Sequence, residues 1–254
     1  MTLFFIGIGL SDEKDITLKG LEAIKKSRYV FLENYTSILN CSYTDLEKFY
    51  CKKIILADRD MVENRANEIL DKSITDNVSF LVVGDVFSAT THIDLFMRAK
   101  KSGINVIVIN NAGIFNAIGL TGLQLYKFGK ITSIPFVSDN YIPETAYDVI
   151  YNNKKIGLHT LVLLDLDTKN FKFMTPNDAF RILLEIELKR KKKLINHNTG
   201  VVVCSRMGKD DSIVYDKIAN LLDYDFGKPL HSIIFPGKLH FMEEEVLEYY
   251  RAKK

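Results

Sequence analysis

The chain opens with short apolar runs separated by segments whose apolar residues recur at helical spacing. The runs have the length of buried parallel strands, and the segments between them have the pattern of helices that pack on a sheet. Leu18, Leu21 and Ile24 share one face of a helix predicted from about 16 to 27, with Asp15 as its cap. This alternation predicts a mostly parallel sheet over residues 1–110. Strands are predicted at 3–8, 29–33, 78–83 and 106–109. Two further helices are predicted: one at 60–71, and one that follows His92 and ends at Gly103.

The second half has a less regular pattern, although it also mixes strands and helices. Residues 114–125 are apolar and contain glycines, which predicts a tightly packed helix. Because this change in the pattern of apolar residues follows a polar break at 110–113, we expect two α/β domains, 1–112 and 113–254. The remaining strands are predicted at 130–134, 158–166 and 201–205, and the remaining helices at 143–152, 177–193, 212–222 and 241–250.

A strand that ends in Gly-Asp stands at the centre of the first half. The apolar run 80–83 stops at Gly84 and Asp85, and the small and hydroxylated residues 88–91 lead into a helical pattern. Open α/β sheets bind ligands at the carboxyl ends of strands, so this junction is a candidate site. Gly84 lets a backbone approach closely, and Asp85 offers a carboxylate to hydroxyl or amino groups. The alternative is an ordinary turn in which Asp85 or Ser88 caps the next helix.

Composition narrows the class of protein. The chain has 254 residues, of which 47% are hydrophobic and 26% charged, as in a soluble globular protein. A net charge of +2 argues against a dedicated nucleic-acid binder, and no apolar run is long enough to cross a membrane. The N-terminus lacks the features of a signal peptide, so we expect a cytoplasmic protein. The 3 cysteines form no C-x-x-C and the 5 histidines no i, i+4 pair, so neither a disulfide framework nor a metal site is predicted.

Two further motifs have weaker functional interpretations. The first strand ends in Gly7-Ile8-Gly9-Leu10, but Asp12 stands where a dinucleotide loop has its third glycine, which weakens the hypothesis of an NAD-linked oxidoreductase. The basic run Lys189–Lys193 closes the long predicted helix, where positive charge favours the helix dipole. A solvated helix end is therefore favoured over a nuclear address or an acidic partner.

Six segments together indicate a family. They are FIGIGLSDEKDITLKGLEAIKKS (Phe5–Ser27), YTSIL (Tyr35–Leu39), GDVFSATTH (Gly84–His92), GLQLYKFGK (Gly122–Lys130), LHTLVLLDL (Leu158–Leu166) and PLHSIIFPGKLH (Pro229–His240). In this order they resemble the diphthine synthases, methyltransferases of diphthamide biosynthesis within the tetrapyrrole methylase-like fold. No single segment is decisive, but six in order along nearly the whole chain are highly specific.

This resemblance implies a fold, a cofactor and a substrate. It implies two α/β domains with S-adenosyl-L-methionine in the cleft between them, S-adenosyl-L-homocysteine as product, and a homodimer. The implied substrate is elongation factor 2, at a histidine that already carries a 3-amino-3-carboxypropyl group. Archaeal-type relatives add three methyls to its amino group, and eukaryotic-type relatives also methylate its carboxylate. The VVGD and LLDL segments look more eukaryotic, which favours four methylations.

The resemblance also implies which residues contact the cofactor. Asp85 is the charged contact, and ordinary core packing remains the alternative for each apolar contact taken alone. Two positions depart from the family pattern: Val86 stands where proline is usual, and Gly113 where serine is usual. The implied contacts are Leu10, Asp85, Ser88, Gly113, Ile114, Leu164, Ser205 and Ile233.

No catalytic base is assigned from the sequence. His92, His159 and His231 lie in matched segments, but a core or capping role is favoured for each. A tetrapyrrole methylase of the same fold is the alternative activity, although the first loop lacks the glycine- and proline-rich turn of that group. A module that docks on elongation factor 2 without catalysis is the alternative from another class.

Overall fold

The computed structural model describes residues 1–137, 142–208 and 211–252. The chain divides into two units, Met1–Ala117 and Ile118–Lys254. Residues 113–117 therefore fall in the first unit, while the domain boundary at 112/113 stays a prediction. In the described part of the chain, no helix is both long enough and apolar enough to cross a bilayer.

The first unit is built on a five-stranded parallel sheet in the order β3-β2-β4-β1-β5. Alternate residues of its central strands point to opposite faces, as strand geometry requires. Leu3 and Phe5 pack in one buried cluster, and Ile6 and Ile8 in the other. The strands are β1 Thr2–Gly7, β2 Tyr29–Glu33, β3 Ile54–Ala57, β4 Val78–Val82 and β5 Asn105–Ile109; the helices are α1 Leu18–Lys26, α2 Tyr43–Tyr50, α3 Arg59–Glu63, α4 Asn67–Thr75, α5 Ile93–Lys101 and α6 Ile114–Ala117.

The second unit is built on a mixed sheet in the order β11-β10-β12-β7-β6, in which only β6 and β7 pair in parallel. Its core includes Val203 and Ile233 of the sheet together with Tyr147 and Phe180 of the helices. The strands are β6 Thr132–Ile134, β7 Thr160–Leu164, β8 Leu166–Asp167, β9 Lys172–Phe173, β10 Gly200–Ser205, β11 Ser212–Lys217 and β12 His231–Phe235; the helices are α7 Thr145–Lys155, α8 Pro176–Arg190, α9 Ile218–Leu221 and α10 Phe241–Tyr249.

The helix predicted at 212–222 is wrong. Residues 212–217 form β11, which pairs antiparallel with β10 and places Val214 opposite Val203. Only one helical turn, α9, follows. The apolar residues at 213, 214 and 218 have helical spacing, but pairing with a buried neighbouring strand outweighs that local pattern.

The helix predicted at 114–125 is also wrong, because glycine interrupts it. One turn of α6 is followed by the 3-10 turns Ile118–Thr121 and Leu125–Lys127. Gly122 between them has φ +79, and a Cβ there would collide with Val246. A positive φ is strained for residues other than glycine, so the helix cannot continue.

Two smaller differences concern helix ends. Thr17, not Asp15, caps α1 by accepting a hydrogen bond from the backbone N–H of Gly20. The helix predicted at 60–71 is observed as two helices, α3 and α4. The helix α8 ends at Arg190, because the backbone of Lys191 has a left-handed conformation. The basic run therefore continues beyond the helix. The elements α2, β3, β9 and β12 had no sequence-based prediction.

Candidate functional site

Three loops leave neighbouring strands of the first unit at the carboxyl edge of its sheet. They follow β1, β4 and β5, and β1 lies between the other two strands. Parallel strands bring the loops that follow them to one edge, which is where such sheets bind ligands. The predicted contacts Leu10, Asp85, Ser88, Gly113 and Ile114 all lie on these loops or directly after them.

The first loop is joined to the second by a pair of backbone hydrogen bonds. Gly9 N–H donates to the carbonyl of Gly84 at 3.3 Å, and Gly84 N–H donates to the carbonyl of Gly9 at 2.7 Å. Asp15 then folds back on its own loop, where one carboxylate oxygen accepts from the N–H groups of Leu10 and Ser11 at 3.1 and 2.8 Å. Asp15 thus shapes the loop instead of capping α1.

Asp85 joins the second loop to the third. Its Oδ1 accepts a hydrogen bond from Asn111 N–H at 3.0 Å, and Ser88 Oγ lies 3.4 Å from Oδ2. Neither side chain caps α5, because His92 precedes that helix and makes no side-chain cap. The capping alternative for Asp85 and Ser88 is therefore wrong. Oδ2 retains capacity to accept a hydrogen bond from a ligand.

Asn111 ties the three loops together, and the sequence analysis did not single it out. Its amide nitrogen donates to the carbonyls of Gly7 and Asp15, both at 3.0 Å. Its amide oxygen accepts from Ala112 N–H at 2.7 Å. The sequence does show a polar break directly after a buried strand. An amide among several polar residues does not, however, indicate which backbone groups it will bond.

Gly113 allows the third loop to approach the second. A Cβ at this position would lie 3.2 Å from Asp85 N and 3.5 Å from Ser88 Cβ. The Leu10 side chain is also close to the second loop, 3.6 Å from the Cβ position of Gly84. The structure therefore brings Leu10, Asp85, Ser88 and Gly113 together, with Ile114 next in the chain.

Substitution of Gly9 is expected to damage this edge of the sheet. Gly9 has φ +81, and a Cβ there would collide with the Asp15 side chain, so Gly9→Ala should lower the free energy of unfolding by about 3 kcal/mol. Gly103 is the matched control, because its φ is +71 but nothing lies within 4 Å of its Cβ position. Gly103→Ala should cost only about 1 kcal/mol. Urea unfolding compares the two variants, and equal losses would contradict the close packing at Gly9.

The other predicted contacts lie in the sheet of the second unit. Leu164, Ser205 and Ile233 belong to β7, β10 and β12, which are neighbours in the sheet. Leu164 and Ile233 are part of the buried core, so packing accounts for both side chains. Ser205 differs, because its buried Oγ has no hydrogen-bond partner among the described residues. An unsatisfied buried hydroxyl is costly, and a polar ligand group would satisfy it.

His159 has a structural role in the second unit. Its Nδ1 accepts from Gly237 N–H at 2.9 Å, so Nε2 carries the proton and donates to Glu243 at 3.0 Å. Burial lowers the pKa of His159 despite this carboxylate. Burial opposes ionisation of Glu243, but hydrogen bonds from Lys127, Gln124 N–H, His240 N–H and His159 outweigh it and lower its pKa to about 2.

His92 also has a structural role and is not placed to act as a general base. Its ring is fully buried and packs edge-on against Tyr35 and Phe80, with centroid distances of 6.0 and 5.2 Å. Burial lowers its pKa to about 4, although Nδ1 lies 3.4 Å from the carbonyl of Val86. The folded chain therefore holds His92 neutral at physiological pH.

The pH dependence of stability should report this buried histidine. In the unfolded chain the histidine binds a proton near pH 6.5, whereas in the folded chain His92 does so only near pH 4. Protonation therefore favours the unfolded chain, and the unfolding free energy falls as the pH falls through this window. Between pH 7 and 4.5 the wild type should lose about 2 kcal/mol more unfolding free energy than His92→Phe, which retains a ring. Urea unfolding at the two pH values measures this difference. Identical losses would contradict the buried neutral state.

His231 is the histidine placed beside a predicted contact. It opposes Ser205 across β10 and β12, and burial lowers its pKa. No described residue gives it a proton-transfer partner, so it is not assigned as a base. Among the described residues there is no group of three or more His, Cys, Asp or Glu side chains that could hold a metal ion.

Comparison with known proteins shows which family this chain is similar to. The family model of the Tetrapyrrole (Corrin/Porphyrin) Methylases matches residues 2–222. The chain is 49% identical to a diphthine synthase of Methanococcus aeolicus, with 97% of each chain covered. It is 48% identical to a diphthine methyl ester synthase of Dictyostelium discoideum over the full length of both chains. A crystal structure of a putative diphthine synthase from Entamoeba histolytica has 45% identity and a TM-score of 0.93, covering 100% of this chain and 99% of that one.

Proposed function

Because the chain belongs to the diphthine synthases of the tetrapyrrole methylase family, we propose that it methylates the modified histidine of elongation factor 2 with S-adenosylmethionine. The observation that supports this proposal most directly is the convergence of three strand-end loops on Asp85 and Asn111. A buried, unsatisfied serine hydroxyl in the second unit is the second support. The acceptor is the 3-amino-3-carboxypropyl group of the histidine.

The residues present fit the cofactor that the family uses. Asp85 Oδ2 can accept hydrogen bonds from hydroxyl or amino groups, and Ser205 Oγ can bond a polar group. Leu10 and Ile114 supply apolar surface, and Gly113 leaves room beside Asp85. Leu164 and Ile233 stay proposed contacts, although their side chains are packed in the core. The bound cofactor supplies an electrophilic methyl group on a sulfonium.

The chain itself contributes mainly alignment. Methyl transfer is an in-line displacement, so the rate depends on holding the acceptor nitrogen or oxygen opposite the leaving sulfur and on excluding water. The amino group must be neutral to react, and His92 and His159 are occupied in structural contacts. The substrate carboxylate is already ionised near neutral pH and needs no base. We therefore assign positioning roles and no catalytic base.

Four methylations are proposed, three on the amino nitrogen and one on the carboxylate. The segments VVGD and LLDL support this eukaryotic-type activity. The relatives named above carry both names at nearly equal identity, so three methylations, as in the archaeal type, is the alternative. A homodimer in the cytoplasm, acting on a protein and on neither nucleic acid nor membrane, belongs to the same proposal.

Transfer of a labelled methyl group tests the activity. The acceptor is elongation factor 2 from a strain that lacks this enzyme, and the control is the same factor with its target histidine replaced by alanine. We expect incorporation that requires both the cofactor and the histidine. A porphyrinogen acceptor tests the tetrapyrrole alternative, and label on it but not on the factor would contradict the proposal. A stable complex without methyl uptake would favour the docking module.

A further inference from the structure

A cavity of about 410 Å³ in the second unit lies away from the predicted cofactor contacts of that unit. It is lined by residues at the end of the sheet where β7 and β10 begin and β12 ends. Leu164 and Ser205 are at the opposite ends of those strands. The basic run Lys189–Lys193, which the proposed function does not use, contributes Lys193 to its wall. The cavity therefore needs an explanation of its own.

The cavity carries positive charge that no ion pair offsets in the described part of the chain. Lys154 and Lys193 line it, and neither has an ion pair in the part of the chain that the structure describes. Among the described residues, the one hydrogen bond of either ammonium is from Lys154 Nζ to the carbonyl of Leu194, at 3.3 Å. The nearby Glu187 forms no ion pair with either lysine among the described residues; its oxygens accept hydrogen bonds from three backbone N–H groups of residues 193–195 and from the hydroxyl of Tyr147.

The lining also includes apolar residues. Pro236 and Leu239 are partly exposed and form its apolar wall, whereas Ile150, Leu194 and Phe235 are almost fully buried. A cavity with a few placed polar groups, an apolar wall and this volume has the ordinary character of a small-molecule site. Its occupant should therefore combine an anionic group with an apolar or planar body.

Buried hydrogen bonds hold the apolar wall in place. Gly237, which follows Pro236 in the lining, donates its N–H to His159 Nδ1 at 2.9 Å. His159 is itself held by Glu243, whose other oxygen pairs with Lys127. Gly237 also has no room for a side chain, because a Cβ there would collide with the backbone of Gly157 and Leu158. The wall is thus preorganised before any ligand binds.

We propose that this cavity binds a phosphate monoester with a planar body, of the size and chemistry of a nucleoside monophosphate. Lysine ammonium groups bind phosphate as point charges, and two of them face a group that carries close to two negative charges. Pro236 and Leu239 present the apolar surface on which the planar body lies. The further polar residues of the lining are Thr160, Asn196, Asn198, Thr199 and Tyr215.

Calorimetric titration with uridine monophosphate tests this site. The pyrimidine probe avoids the adenine of the cofactor, and the titration is repeated with saturating S-adenosylhomocysteine. We expect one site per chain, unaffected by S-adenosylhomocysteine, and a loss of affinity of about tenfold or more in Lys154→Gln with Lys193→Gln. The control is Lys189→Gln, which is in the same basic run but pairs with Glu185 and does not line the cavity. It should bind the probe like the wild type.

Five results would overturn the proposal. Four are no binding of uridine monophosphate, equal loss in the Lys189→Gln control, competition by S-adenosylhomocysteine, and tighter binding of a polyglutamate peptide than of the probe; the fifth comes from the partial probes. Tighter binding of the peptide would assign the surface to an acidic protein segment. Uridine and inorganic phosphate are the partial probes, and each should bind more weakly than the monophosphate; equal binding of inorganic phosphate would remove the planar body from the assignment and overturn it.

Discussion

Replacement of Asp85 by alanine should weaken binding of S-adenosylhomocysteine by about 10- to 100-fold and lower methyl transfer at least as much. The substitution removes a charged acceptor, and hydrogen bonds to charged groups contribute about 1.5–3 kcal/mol each. It also leaves Asn111 N–H without its acceptor, which lies 3.0 Å away in the native chain. Unfolding stability should therefore fall by about 1 kcal/mol. Calorimetry and urea unfolding measure the two effects.

Asp85→Asn separates the cofactor contact from the structural contact. The amide retains an oxygen that can accept from Asn111 N–H, but it has no charge. Its unfolding free energy should stay within about 0.5 kcal/mol of the wild type, while most of the loss in cofactor affinity remains. If Asp85→Asn binds S-adenosylhomocysteine like the wild type, then the carboxylate serves the loops and not the cofactor.

Replacement of Asn111 by alanine should have the second large effect. It removes hydrogen bonds to the carbonyls of Gly7 and Asp15 and from Ala112 N–H, and so frees the third loop from the first, while the backbone N–H bond to Asp85 remains. We expect a loss of about 2 kcal/mol in unfolding free energy and about tenfold in cofactor affinity, because the loops are no longer preorganised. Calorimetry with S-adenosylhomocysteine reports the second loss.

Asn110 is the matched control for Asn111. It is the adjacent residue of the same type, it is exposed, and no hydrogen bond of its side chain is seen in the described part of the chain. Asn110→Ala should change the unfolding free energy and the cofactor affinity only slightly. Equal effects of the two alanine variants would contradict the role of Asn111 as the residue that joins the loops.

Much of the first unit was predictable because its strands and helices have clear periodicity. The strand at 29–33 is observed as β2, and the strand–Gly–Asp junction correctly marked an edge where loops converge. Gly103 also ends α5 as predicted, with φ +71. In a parallel sheet, local pattern and tertiary environment favour the same structure, so the sequence signal is strong.

The errors arose where long-range contacts decide the outcome. Residues 212–217 form a strand because β10 pairs with them, and no local pattern contains that partner. Asn111 reaches Gly7, which is 104 residues away in the sequence, only because β1 and β5 are adjacent. The role of Asp15 depends in the same way on how the first loop folds back. One-dimensional spacing does not encode such side-chain contacts.

Mass analysis of the modified-histidine peptide tests the central claim most directly. Elongation factor 2 bearing the 3-amino-3-carboxypropyl group is incubated with the enzyme and S-adenosylmethionine, and the peptide is weighed before and after mild base treatment. We predict four added methyls, of which base removes one, because an ester hydrolyses and a trimethylammonium group does not. Three base-stable methyls would contradict the ester-forming activity. No added methyl, with no cofactor binding by calorimetry, would contradict the assignment as a methyltransferase of diphthamide biosynthesis.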